Sequence, residues 1–597
     1  MKKNNKSGQY SRTTRRLSQE KQQEWERKEY SELGISKKGA DKNQDSFSSY
    51  DSEYRFDRER HREGIARYQK SQHNRKSNFK SNYLQIEGIK HEIAKVEKKT
   101  KKVEGFEYEE YHNFEEANGS GAYFLFLILS LLVSFSFYSF PFIQNIPLEN
   151  SATNFYSGFL MNHGLIPYID IYTSAGPLFY LLNALGTSLD STSILWALEI
   201  IFVWFSSILI FKVLSFFVQE KKINVITTSF LIFAIAGLSL GGNQPIIYAL
   251  PFALYGFLVL SRYFIDNEAV RDEVFILFGM AGALASLFFP FFIIFWLVGV
   301  FGLAIKNISI SNVGRGFYQL LSTLLGIVLV YALVGYYTLT SQIFFPTIKQ
   351  SILIPFSHLN FSFSGWVNLS VSLALLLLFG LSSNFFAVLN YIQRGFRKMS
   401  SITLLIAALF SLIFISLVYQ SSPANALVIL PFLFIYLSLN MEEEFKSHED
   451  YEDYRVSYGD VLGLYLKKTF YLPLIALIFL LSFPFTSQLI QKSQIESKQE
   501  VVSYLREKSE SSDTVTVLSD NQTINYLSNR YSTISFPPSY YPISYTQSFD
   551  IDLVSAKIKY IVWDKRIDLL DTTKEVIESD YKEVDFSNSD YAIYKIK

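Results

Sequence analysis

Between residues 119 and 490 long apolar runs alternate with short polar turns. An α-helix rises about 1.5 Å per residue, so about 20 apolar residues cross a hydrocarbon core about 30 Å thick. Runs of that length predict spans at Ala122–Phe142, Ser193–Val218, Val225–Leu240, Pro245–Phe264, Phe317–Leu339, Trp366–Ile392, Ile402–Val418, Ala424–Leu439 and Thr469–Ile490. The run Val274–Ile305 would be about 48 Å long as one helix, too long for a single crossing. Pro290 sits at its centre, where a helix kinks or breaks. Basic residues flank both ends, and an even number of crossings keeps them on one side. Two short helices meeting at Pro290 bring the total to about 11 transmembrane helices. A re-entrant hairpin is the alternative for this pair.

The pattern changes on either side of this block. Residues 1–118 carry 27 Lys/Arg and 21 Asp/Glu and few aliphatic side chains. That is the composition of a disordered, solvated arm. Ser18–Glu32 and Ile86–Val103 place opposite charges at helical spacing. The alternative is a docking arm for a cytoplasmic protein partner or for the inner leaflet. No apolar stretch follows the early basic cluster, so the region does not read as a signal peptide. Residues 491–597 predict a small α/β domain. Helix patterns lie at Ile495–Lys508, Thr523–Asn529 and Leu569–Ser579, and strand patterns at Thr514–Leu518, Ile558–Trp563, Tyr581–Phe586 and Tyr591–Ile596. Phe536–Tyr545, with three prolines and three tyrosines, reads as a rigid loop.

Charge orients the chain. Residues 119–490 contain 15 Lys/Arg in 372. With the N-terminus in the cytoplasm, the inner turns carry Lys221, Lys222, Arg262, Arg271, Lys306, Arg315, Arg394, Arg397, Lys398, Lys446, Arg455, Lys467 and Lys468. The outer connections then carry Lys349 alone. Lys/Arg excess marks the cytoplasmic side. The expectation is a multi-pass plasma-membrane protein with a cytoplasmic N-terminus and an extracytoplasmic C-terminal domain. The whole chain balances 55 basic against 55 acidic residues, which gives no argument for nucleic-acid binding. It has no cysteine, which excludes disulfides and thiolate-bound metal sites.

The candidate chemistry falls in the first outer loop, residues 143–192, which has no Lys or Arg. It runs through Pro147-Leu-Glu149-Asn150, an amphipathic stretch with Phe155, Tyr156 and Met161, and then His163-Gly164-Leu-Ile-Pro167-Tyr168-Ile-Asp170. Ser174-Ala-Gly176-Pro177-Leu178-Phe179-Tyr180 closes it. A carboxylate at the membrane surface can act as a general base, or hold a divalent metal or a sugar hydroxyl. Glu149 and Asp170 read either that way or as solvated loop acids. His163 reads more simply as structural or exposed. Glu199 lies inside the second span, where a charge is costly. It is either paired within the bundle or placed at a helix that starts later.

This loop resembles the first outer loop of the GT-C superfamily of membrane glycosyltransferases, closest in style to the protein-O-mannosyltransferase and aminoarabinose-transferase branch. Glu149 stands at the acidic position, Gly164, Pro167, Tyr168 and Asp170 form the turn, and Gly176, Pro177, Leu178 and Tyr180 begin the following helix. Family members often carry Asp-Glu where this chain has Glu149-Asn150, and the long charged arm is outside the family pattern. The resemblance implies transfer of a sugar from a polyprenyl-phosphate carrier to a cell-envelope glycan or protein acceptor on the outer face. It makes Glu149 and Asp170 the catalytic acids, with His163 and Tyr168 lining the substrate site. The departing phosphate is anionic, so a cation should face it. Lys349 is the candidate, with His358 in the same loop and Gln420 in the Gln420-Ser421-Ser422-Pro423 turn as further polar contacts. Lys349 reads otherwise as an interfacial lysine whose stem lies along lipid, His358 as structural or exposed, and the Gln420 segment as an ordinary turn. Two other classes share the span pattern: a transporter, flippase or polymerase-like protein, and a non-catalytic envelope-assembly scaffold. A flippase has no evident need of the C-terminal domain, and a scaffold would tolerate changes at Glu149 and Asp170.

Overall fold

The computed structural model describes residues 120–142, 146–147, 149–172, 174–189, 191–265, 271–357, 363–376, 378, 423–447, 456–538 and 541–597. The N-terminal arm, the span expected at Ile402–Val418, most of that at Trp366–Ile392, His358 and Gln420 lie outside the described residues.

The chain enters through α1 (Ser120–Val133), shorter than the expected Ala122–Phe142. Ser134 and Ser136 turn their hydroxyls back onto the carbonyls of Leu131 and Val133, at 2.6 and 2.7 Å, and a 3₁₀ turn replaces the helix. Side chains of this kind compete with the helical backbone for partners. The loop over residues 143–192 forms α2 (Glu149–Asn162) and α3 (Pro177–Thr187). The bundle continues through α4 (Ser193–Phe217), α5 (Lys221–Leu238), α6 (Pro245–Ile265), α7 (Val274–Phe288), α8 (Ile293–Ser309) and α9 (Val313–Thr340). α7 and α8 meet at Pro290, which opens a 3₁₀ turn over Pro290–Phe292.

After α9 come α10 (Phe344–Ile348), a π-helical turn (Lys349–Leu353) and α11 (Ile354–Ser357). Pro355 has no N–H to give the carbonyl of Ser351 and its ring crowds that carbonyl, so the helix widens ahead of it. α12 covers Phe363–Leu376, and α13 runs over Leu430–Lys446. The helix expected at Ala424–Leu439 is therefore displaced toward the C-terminus. Pro423–Val428 is a 3₁₀ segment, and Pro431, suited to a first helical turn, fixes the later start. α14 (Tyr458–Lys468) begins at a capping box in which Ser457 and Asp460 satisfy each other's backbone N–H. α15 (Leu472–Ile490) is the last apolar helix.

Six helices among the described residues are long and apolar enough to cross a membrane: Ser193–Phe217, Lys221–Leu238, Pro245–Phe264, Pro290–Ser309, Val313–Thr340 and Leu472–Ile490. Ser120–Ser136 and Val274–Phe288 are shorter apolar helices. The chain is a multi-pass helical membrane protein. At one end of the bundle the polar turns gather. Glu442 accepts the backbone N–H of Gln219 at 2.8 Å, Lys222 reaches the carbonyl of Val456, and Lys468 pairs with Glu444.

α15 passes into α16 (Lys492–Lys508) with only Gln491 between them. A four-stranded sheet follows, in order β1-β2-β4-β3. β1 (Val515–Leu518) is parallel to β2 (Tyr560–Asp564), and β4 (Tyr591–Ile596) runs antiparallel to both β2 and β3 (Tyr581–Glu583). α16 and α17 (Thr523–Ser528) cover one face, where Val501, Leu505 and Ile524 meet Val515, Val517 and Val562. α18 (Ile543–Ala556) and α19 (Asp571–Asp580) cover the other, through Phe549, Leu553 and Ile577 against Leu518 and Ile561. α18 begins inside the stretch expected as a loop: Pro542 stands at its N-cap and the helix takes over at Ile543.

Candidate active site

The candidate loop, residues 143–192, is shaped by its own turn chemistry. α2 ends in a Schellman cap: Leu165 N–H reaches the carbonyl of Leu160 at 3.1 Å and Gly164 N–H that of Met161 at 3.0 Å. Gly164 sits at φ 87°, the left-handed region that this cap requires and that glycine enters without a Cβ penalty. The next turn folds Pro167 onto Ile171. Asp170 accepts the N–H of Ile166 on Oδ2 at 2.7 Å, while its own N–H donates to the Ile166 carbonyl at 2.9 Å. One oxygen of the candidate acid thus holds the turn.

Tyr168 is buried, with φ 67°. Its hydroxyl donates to the carbonyl of Ala175 at 2.8 Å and its ring meets Tyr180 edge-on. The resemblance implies Tyr168 at the substrate site; in the fold its side chain is buried within the loop. Gly176 N–H donates to the Phe288 carbonyl at 3.2 Å, and a Cβ at Gly176 would lie 2.0 Å from the carbonyl oxygen of Leu287. Glycine at 176 therefore lets the loop close against the α7 end that Pro290 creates. His163 is exposed, its Nδ1 2.9 Å from the Phe159 carbonyl, and it stacks on Tyr531 of the C-terminal domain. Glu149 opens α2.

Lys349 and Gln350 approach the same loop from the π turn. Lys349 is exposed, and its ammonium lies over the Tyr545 ring, 4.8 Å from the centroid. Gln350 is buried; its Nε2 donates to the Tyr168 carbonyl at 2.7 Å, and its Oε1 accepts from the Tyr541 hydroxyl at 3.3 Å. Tyr172 packs edge-on against both Tyr541 and Tyr545. Burial, with Asp552 and Tyr545 nearby, pushes the Tyr172 phenol up to about 12. Asp170, Tyr172, Lys349 and the Tyr541–Tyr545 segment are thus drawn into one region. His163 lies at a different contact with the C-terminal domain, beside Tyr531. Among the described residues no group of three His, Cys, Asp or Glu side chains is placed to hold a metal.

A buried polar network supports the loop from below. Glu199 is fully buried inside α4, which begins at Ser193, so the carboxyl lies within the bundle. Its oxygens accept from the Ser139 hydroxyl and the Asn243 N–H. Asn243 in turn donates through Nδ2 to Asn183 of α3 at 2.8 Å and accepts on its carbonyl from Asn154 of α2 at 3.0 Å. The sequence exposes Glu199 as an isolated charge; Asn183, Asn243 and Gln350 give no such signal, because each is a common polar residue whose partners are remote in sequence.

A similar fold is found among solved structures. The structure of ArnT from Cupriavidus metallidurans bound to undecaprenyl phosphate superposes with a TM-score of 0.52 at 12% identity, covering 80% of this chain and 98% of that one. The same protein in the apo state gives a TM-score of 0.49 at 10% identity over the same shares. The arabinofuranosyltransferase AftD from Mycobacteria gives 0.29 at 11% identity, covering 79% of this chain and 40% of that one. The family described as "Putative competence-induced protein Ccs4 N-terminal domain" matches residues 116–492, and the corresponding C-terminal domain matches residues 495–597. The chain belongs to this Ccs4 family. No curated protein matches the sequence.

Proposed function

We propose that this Ccs4-family protein is a membrane glycosyltransferase. It moves a sugar from a polyprenyl-phosphate carrier to a cell-envelope glycan or protein acceptor on the outer face, with its N-terminus in the cytoplasm. One observation carries the reading: on a fold shared with a protein solved with undecaprenyl phosphate bound, the acid-bearing first outer loop, Lys349 and the C-terminal domain converge. In this reading Glu149 takes the proton of the acceptor hydroxyl. The hydroxyl oxygen bonds to the anomeric carbon, and the carbon–oxygen bond to the carrier breaks, with the electron pair leaving on the phosphate. Lys349 stabilises that developing charge. Asp170 keeps the turn in register and leaves its second oxygen toward the acceptor. The test compares envelope glycans of a deletion strain and its parent by mass spectrometry, with complementation by the parental protein and by Glu149→Gln. Loss of a glycan substituent that the parent restores and Glu149→Gln does not is the expected result. Identical glycans in deletion strain and parent would overturn the proposal.

A further inference from the structure

Gln350 touches two parts of the chain that are far apart in sequence. Its amide nitrogen holds the carbonyl of Tyr168, the left-handed residue at the centre of the first outer loop. Its amide oxygen receives the hydroxyl of Tyr541, in the segment that leads into α18 of the C-terminal domain. A carboxamide donates through its nitrogen and accepts on its oxygen, so the two bonds fix its orientation. All three residues are buried, so water cannot take over either bond without opening the contact. The π turn that carries Gln350 is set by Pro355, and turns of this kind recur where a helix presents side chains to a functional site. Lys349, its neighbour, contacts Tyr545 of the same C-terminal segment, and the rings of Tyr172, Tyr541 and Tyr545 pack edge-on against one another.

We infer that Gln350 is a positioning residue through which the C-terminal domain holds the first outer loop in its working shape. The domain then acts on the loop through the chain Tyr541 hydroxyl, Gln350 amide, Tyr168 carbonyl. The turn Ile166–Ile171 carries Asp170, so the same chain sets where that carboxylate stands. The kinetic consequence rests on the transferase reading above; the mechanical one does not.

Hydrogen exchange of the purified full chain tests the mechanics. The reporters are the N–H groups of Ile166, Tyr168 and Asp170, all bonded within the turn. Tyr541→Phe keeps the ring against Tyr172 and removes only the hydroxyl that Gln350 accepts. The inference expects exchange at these three amides to rise about 10-fold in Tyr541→Phe and at least as much in Gln350→Met. The double variant should behave as Gln350→Met alone, because the two residues act in series. Unchanged exchange in the turn with Tyr541→Phe, or additive effects in the double variant, would overturn the inference. In complemented cells at matched protein level, the glycan substituent should fall about 10-fold in Tyr541→Phe while binding of undecaprenyl phosphate by the purified variant is unchanged. A loosened turn with parental transfer would remove the positioning role. A loosened turn in a protein whose deletion leaves the glycans unaltered would leave the mechanical link standing and overturn the transferase reading instead.

Discussion

Replacing Tyr156 with Phe should weaken the seat of the C-terminal domain on α2. The Tyr156 hydroxyl is buried and makes three bonds across that contact. It donates to the Arg530 carbonyl at 3.1 Å, and it accepts from the Ser532 N–H at 3.0 Å and from Asn525 Nδ2 at 3.1 Å. Burial pushes the phenol well above its ordinary range and keeps it protonated, against the Ser532 and Asn525 donors, which favour the phenolate. The Phe ring fills the same space, so no cavity enters the calculation. Asn525 keeps a second partner in Gln522 at 3.1 Å. The Ser532 N–H and the Arg530 carbonyl lose this partner, and each buried group left so costs about 1–3 kcal/mol. A total of about 3 kcal/mol corresponds to about 10²-fold in the equilibrium between seated and unseated domain. Hydrogen exchange of the purified full chain measures it directly. Amides from Asn525 to Ser532 should exchange about 10²-fold faster, while the β2 and β4 amides in the domain's sheet keep their protection. Exchange over 525–532 within roughly threefold of the parent would refute the argument that these bonds hold the domain in place.

Asp170→Asn keeps an acceptor for the Ile166 N–H and removes the charge, whereas Asp170→Ala removes both. Loss of transfer in both marks a charge-dependent role, and loss in Asp170→Ala alone marks the turn, with glycan mass spectrometry as the readout. Lys349→Met should weaken undecaprenyl phosphate binding and slow transfer by about 10-fold or more, with partial recovery in Lys349→Arg; unchanged binding and transfer would place the phosphate elsewhere. Raising the pH from about 10 to about 12 should release the packing around Tyr172. Its folded-state phenol is shifted up from 10.0 to about 12, so its contribution is full below 10 and lost as pH rises through the folded value. Tyr172→Phe should remove that alkaline step from an exchange or fluorescence titration. Single cysteines in this cysteine-free chain report topology: a membrane-impermeant reagent on intact cells should label Ser535→Cys and spare Ser457→Cys.

The parts of the fold that sequence made legible were those that depend on neighbours in the chain. Pro290 announces its own break, since a missing N–H acts within one helical turn. The strand at Tyr591–Ile596 was readable from β-branched and aromatic residues, whereas the acid, turn and Gly-Pro of residues 143–192 were singled out by the family resemblance and not by spacing. The misplacements also have local causes that apolarity masks. Ala424–Leu439 is apolar enough for a helix, but Pro431 decides where one starts. Ser134 and Ser136 end α1 inside an apolar run. What sequence left hidden was the support of the site. Gln350 reaches Tyr168 across 182 positions and Tyr541 across 191, and no periodicity encodes such a meeting. The Glu199–Asn243–Asn183 network is hidden in the same way, its members joined across 44 and 60 positions.

The bond between Tyr156 and Arg530 joins residues 374 positions apart. A ribosome adding about 5–20 residues per second needs about 20–75 s to make the second partner after the first. Throughout that interval α2 has no C-terminal domain to cover it. Tyr156, Leu160 and Ile171, buried in the finished protein, stand partly uncovered on the growing chain while the later helices are still being inserted. The nascent protein therefore carries a temporary apolar patch on the face of α2 that the C-terminal domain later covers. Anything that stalls synthesis between the first outer loop and residue 530 lengthens the time during which that patch is open to the wrong neighbour.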